Sequence, residues 1–244
     1  MLHPLILGTT LTRHVPPLML ADASATSLAD FSGPASTLFN NMRAPASLLA
    51  GTLLGATWSL APLATDSSAV ALVKRLHTLV GLLAACSELI AIIVCTVAIN
   101  KLSEIRSPQT DGVGGLLASS SYELSWTAAN ANFFFGLLGL VTMTGARGYL
   151  ILASSGKCYA AAAACMAAAA GLLMTSTINT GIASGDGTMC GEQAPFGRSF
   201  GALFLRYTAL LIGRARTAPL TLLSLLCAFA AAVLVAAGAL AGAL

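Results

Sequence analysis

Four long runs limit what this chain can fold into. The run 76–99 holds one charge, Glu88, and 124–153 holds one, Arg147; 158–183 and 218–244 hold none. Each exceeds the ~20 apolar residues that cross a hydrocarbon core ~30 Å thick. Lipid offers backbone amides no hydrogen bonds, so such runs must be helices rather than open strands. Only 9% of the chain is charged, against about 25% in soluble domains, too little to solvate a surface. The net charge of +3, without a basic stripe or an aromatic platform, gives no reason to expect a nucleic-acid partner.

The remaining segments are less apolar. Residues 1–44 are small and polar, with Pro16, Pro17 and Pro34, and read as an extended arm. Met1 and the short apolar stretch Leu5–Leu7 make a poor secretory signal, because the basic n-region is missing. The uncharged stretch 45–64 opens at Pro45 and closes at Pro62, which suits a short helix. At the lower limit of spanning length and rich in Gly, Ser and Thr, it is expected to lie in or dip into the interface, with a fifth crossing as the alternative. Residues 184–199 read as loop. The segment 200–216 then puts Phe200, Leu203, Phe204, Tyr207, Leu210 and Leu211 on one helical face and Arg206 on another, as in an interfacial amphipathic helix. The expected fold is an all-α membrane protein: a four-helix transmembrane bundle over 74–244, with an N-terminal arm and interfacial helices. Four spans put both termini on one side. Lys74, Arg75, Arg147 and Lys157 on one flank against Lys101, Arg106, Arg206, Arg214 and Arg216 on the other leave the orientation undecided.

Charges inside a membrane usually face protein and mark function. Glu88 and Arg147 lie on successive antiparallel spans, and counting ~1.5 Å per residue from the helix ends brings them within reach of a tilted ion pair. Asn100, Glu123, Asn130, Asn132 and Asn179 fall toward one membrane face as a polar layer that glues helices or contacts a lipid or pigment. His3, His14 and His77 are scattered, and no His/Cys/carboxylate cluster has ligand spacing, so no metal site is expected. The six cysteines, Cys86, Cys95, Cys158, Cys165, Cys190 and Cys227, form no disulfide framework. Without a credible nucleophile and base, catalysis is not expected. The Ala-rich stretches at 158–171 and 228–238 make smooth faces on which another backbone or a flat ligand can approach closely.

LFNNMRAPASLLAG at 38–51, LLAACSELIAIIVCTVAINKLSE at 82–104 and YELSWTAANANFFFGLLGLVTMTGARGYL at 122–150 resemble an uncharacterised family of four-helix membrane proteins from diatoms and related algae. The three stretches cover about a quarter of the chain. That family has no established activity to carry over. In its pattern the position of Asn132 is often His, so a ligand role carried by that His would not transfer. The Glu and Arg spaced five apart that open a light-harvesting helix are absent. The resemblance implies an algal setting, with a thylakoid membrane as the suspected location. The function expected is a non-catalytic accessory subunit of a large membrane complex, specifically a photosystem supercomplex in which it bridges antenna and core. Glu88, Glu123, Asn130 and Asn132 are its candidate contacts for chlorophyll, carotenoid or lipid, and membrane lipid and neighbouring subunits its expected partners. The alternative is a small transporter or channel using Glu88 and the asparagines as a polar path.

Overall fold

The computed structural model describes residues 30–104, 110, 112–184 and 198–243. Among these the chain is all-helical: α1 (Ser32–Thr57), α2 (Ser68–Glu104), α3 (Val113–Ala118), α4 (Glu123–Leu152), α5 (Lys157–Ser184), α6 (Phe200–Ala215) and α7 (Pro219–Ala243). Four of them, α2, α4, α5 and α7, are long and apolar enough to cross a membrane.

The core is a seam between α1, α2 and α4. On α2 the buried positions His77, Gly81, Ala84, Glu88, Ala91, Cys95, Ala98 and Leu102 recur at alternating steps of four and three. That 3.5-residue period keeps one stripe facing its neighbours along the whole helix. Half of the stripe is Gly or Ala, so the partners approach closely. Antiparallel α4 answers with Trp126, Ala129, Asn132, Gly136, Gly139 and Met143. A β-carbon at Gly139 would sit 2.5 Å from Ala84 Cβ, and one at Gly81 would sit 2.6 Å from Met143 Cε. These approaches fix the register of the two helices.

The arm expected over 1–44 and the helix expected over 45–64 are corrected where the chain is described. Residues 32–44 are not extended: α1 begins at Ser32, runs through Pro45 and ends at Thr57. Its buried residues, Ala35, Phe39, Met42, Ala46, Ala50, Leu53 and Thr57, form a helical stripe that starts ten residues before Pro45. Phe39 packs edge-on against Trp126, with ring centres 5.5 Å apart. The stripe mixes Ala and Thr with Phe39, Met42 and Leu53, and Asn40, Asn41 and Arg43 stand between its members, which hides it in a hydropathy reading. Residues 1–29 of the expected arm lie outside the described residues.

α1 runs antiparallel to α2 along nearly its full length. Ala35, Phe39 and Met42 share a cluster with Cys95, Ala98 and Leu102, and Leu53 shares another with Ala84, Ala85 and Met143. Thr57 reaches the level of Gly81. The α1 axis therefore follows that of α2 and does not lie across it, as an interfacial helix would. Between them, Asp66 accepts from Leu63 N–H at 2.7 Å and from Lys74 Nζ at 2.8 Å. The Leu63 amide and the Lys74 ammonium hold its carboxyl below the ordinary carboxylate range. α3 tucks Leu116 and Leu117 under the same cluster as Phe39.

α5 returns beside α4 through a turn closed by Gly156, whose φ of 141° suits glycine. Gly145 and Gly148 admit Ala167 and Ala163 of α5. α6 starts at Ser199, whose hydroxyl caps Ala202 N–H. Leu203 and Phe200 cover Ala131 and Ile182, and Phe204 stacks on Phe135. α7 contacts α6 and no other helix among the described residues.

Candidate functional site

The buried polar side chains Thr57, His77, Ser87, Glu88, Thr127, Asn130 and Asn132 all lie on α1, α2 or α4. Three of them bond their own helix: Thr57 donates to Leu53 O at 2.6 Å, Asn130 Nδ2 to Trp126 O at 2.9 Å, and Asn132 Nδ2 to Ala128 O at 2.9 Å. Both asparagine amides are thus turned onto their own helix. Neither amide reaches across to another helix.

Glu88 differs. It is 0% exposed, and neither carboxylate oxygen has a hydrogen-bond partner. Its carboxyl lies where a β-carbon on Gly136 would stand, with Cγ 2.7 Å from that position. The expected ion pair with Arg147 does not form. Glu88 stands opposite Gly136, and Arg147 is eleven residues farther along α4, about 16 Å by helical rise. Arg147 stands instead one turn beyond Met143, which meets Gly81, and so lies at the level of His77. His77 is 2% exposed and its Nδ1 lacks a partner, as does Trp126 Nε1.

Glu123, a candidate pigment or lipid contact from sequence, is engaged elsewhere. Its Oε1 accepts from Arg206 Nε at 2.8 Å and also from Arg206 Nη2. Lys101 Nζ bonds Ser121 O at 3.0 Å and lies 4.7 Å over the Tyr122 ring, while Asn179 Oδ1 accepts from Phe200 N–H at 2.7 Å. These contacts tie the end of α2 to the start of α4, and α4 and α5 to α6. Sequence reading misses the Glu123–Arg206 pair because 83 residues separate the partners; the cue is an Arg in the middle of a helix whose other face is apolar.

The pair is about a fifth exposed at each side chain, so it is worth about 1 kcal/mol. Arg206→Gln should loosen α6 and speed trypsin cleavage at the exposed Arg214 and Arg216, with a small fall in thermal midpoint. Reversing both charges, Glu123→Arg with Arg206→Glu, should restore protection. Unchanged cleavage in the single variant would show that α6 is held by its aromatic contacts alone.

Outside the seam, α4 and α5 enclose an open apolar groove of about 420 Å³, lined by Leu140, Val141, Gly145, Gly148, Met166 and Ala167 among others. Cys95 is buried, and Cys86, Cys158, Cys165 and Cys227 are exposed free thiols; Cys190 lies outside the described residues. Among the described residues no three His, Cys, Asp or Glu side chains gather as a metal site would require. Comparison with family models, curated proteins and solved structures gave no match.

Proposed function

We propose that this chain is a non-catalytic accessory subunit of a larger membrane assembly, held to its neighbours by α5 and α7. The observation that carries the reading is α7, which buries no residue over 219–238, whereas α2 buries a stripe along its length. Exposure to lipid costs an apolar helix nothing, so exposure alone is no argument. The composition supplies one. Ala228, Ala230, Ala231, Ala232, Ala236, Ala237 and Gly238 give α7 a smooth surface, and close backbone packing drives helix association in lipid. The outward side of α5, with Ala161, Ala164 and Ala168 exposed, has the same character. In this reading α1 crosses the bilayer beside α2. The finer setting, a photosystem supercomplex of an algal thylakoid with chlorophyll, carotenoid and lipid on these faces, rests on the sequence resemblance alone. A second reading, a small transporter or channel, draws on the unpartnered carboxyl of Glu88.

Native electrophoresis of mildly solubilised membranes, followed by mass spectrometry, tests the proposal. The chain should co-migrate in stoichiometric amount with a large complex, a pigmented one if the thylakoid setting holds. Leucine at Ala164 and Ala168 should strip it from that complex while the isolated chain still folds. Ala167 is unsuitable for this purpose, because its methyl group already packs on Gly145. A lone monomer would favour the transporter.

A further inference from the structure

The surroundings of Glu88 restrict what can satisfy it. At its level α1 contributes Ala46 and Ala50, α2 contributes Ala84 and Ala91, and α4 contributes Gly136. Side chains nearby that donate hydrogen bonds spend them on their own helices: Ser47 on Arg43 O, Thr52 on Leu49 O, Thr57 on Leu53 O, and Asn132 on Ala128 O. The charged and titratable groups on the same three helices stand well away. Arg43 lies at the level of Cys95, two turns along α2, since its neighbour Met42 shares a cluster with that residue. His77 and Arg147 stand at one level three turns the other way, Glu123 is bound to Arg206 at the far end of the seam, and Cys86 is exposed. With Glu88 fully buried, no neighbouring subunit can reach it, so its partner must be a very small species. A metal ion needs several ligands and space for them, and the carboxyl packs directly on the α4 backbone where Gly136 lacks a side chain. A proton needs neither. An unpaired carboxylate in such a site is costly, and buried charges without partners neutralise.

We propose that Glu88 is an intramembrane proton-binding site, a carboxylic acid held at the centre of the α1–α2–α4 seam. Gly136 is its positioning residue, since any side chain there would displace the carboxyl. The inference does not rest on the subunit reading, because the site lies inside the chain and is complete without a partner.

Infrared spectroscopy of the purified full-length chain in lipid vesicles tests it. The wild type should show the carbonyl stretch of a protonated carboxyl at neutral pH, shifted in heavy water, and Glu88→Gln should lose it. The neutral amide should keep the fold. If it does not, the wild type still decides: dicyclohexylcarbodiimide, a lipid-soluble reagent that adds to protonated carboxyls, should mark Glu88 roughly tenfold more than Glu104 or Glu123. A water-soluble carbodiimide should not mark Glu88. No acid carbonyl band from mildly acidic to neutral pH, or Glu88 labelled no more than the exposed carboxyls, would show an ionised side chain and overturn the proposal.

Discussion

Gly139→Ala is expected to destabilise the chain more than an alanine at any glycine in open space. The new β-carbon would lie 2.5 Å from Ala84 Cβ and 3.6 Å from Ala84 Cα. Neither atom can swing aside, because both are fixed to the α2 backbone. The helices must separate along a seam whose packing depends on close approach, so a cost of about 1–3 kcal/mol is expected, and more for Gly139→Leu. Gly136→Ala should cost less, because its new methyl group meets the end of the flexible Glu88 side chain. Gly55 has nothing within 4 Å of its hypothetical β-carbon, so Gly55→Ala should be neutral or slightly stabilising. The midpoint of heat-induced loss of monodisperse protein in size-exclusion chromatography gives the ranking. Ala84→Gly introduced with Gly139→Ala exchanges the two side chains across the interface and should recover most of the loss, a coupling that contact between the two sites predicts. Equal midpoints for Gly139→Ala and Gly55→Ala would mean that α2 and α4 are not packed as described.

That contact also explains what the sequence reveals and what it hides. The four spanning runs are legible because they need only composition and length. The amphipathic α6 is legible because aromatic and basic residues separate onto two faces. A buried Glu88 is legible from the cost of a mid-membrane charge. Its pairing with Arg147 is not, because hydropathy locates a helix but not its register. The register is set by Gly81, Gly136 and Gly139, and it places Arg147 beside His77. α1 is obscured for a related reason. Its buried stripe of Ala35, Phe39, Met42, Ala46, Ala50 and Leu53 carries a helical period, yet Pro34, Asn40, Asn41, Arg43 and Pro45 interrupt the same stretch with residues typical of a loop. The Glu123–Arg206 pair depends on the path of the chain between α5 and α6, which no local pattern encodes.

The start of α1 should be found on the opposite side of the membrane from the turn between α4 and α5. α1 keeps step with α2 from Thr57 at Gly81 to Ala35 at Leu102, a rise of about 30 Å. A helix that follows a spanning neighbour over that height crosses with it. Trp58, Tyr149 and Tyr159 are all exposed near one end of the helices, as residues of an interfacial aromatic belt are. Lys74, Arg75, Arg147 and Lys157 mark the same end. Five crossings then send the start of α1 and the end of α7 to opposite sides, in contrast to the four-span expectation. They also bring Arg43 toward the end that carries Lys101, Arg198, Arg206, Arg214 and Arg216, which inclines the positive-inside balance to that face. Single cysteines at Ser32, Ser120 and Ser154, in a chain whose six native cysteines are replaced, can be probed with an impermeant maleimide on sealed vesicles. Residues 32 and 120 should label from one side and residue 154 from the other. Labelling of 32 together with 154 would mean that α1 enters and leaves by the same face. The antiparallel register with α2 could then not persist in the membrane, and the Glu88 seam, which needs Ala46 and Ala50 of α1 to close it, would lie open to lipid.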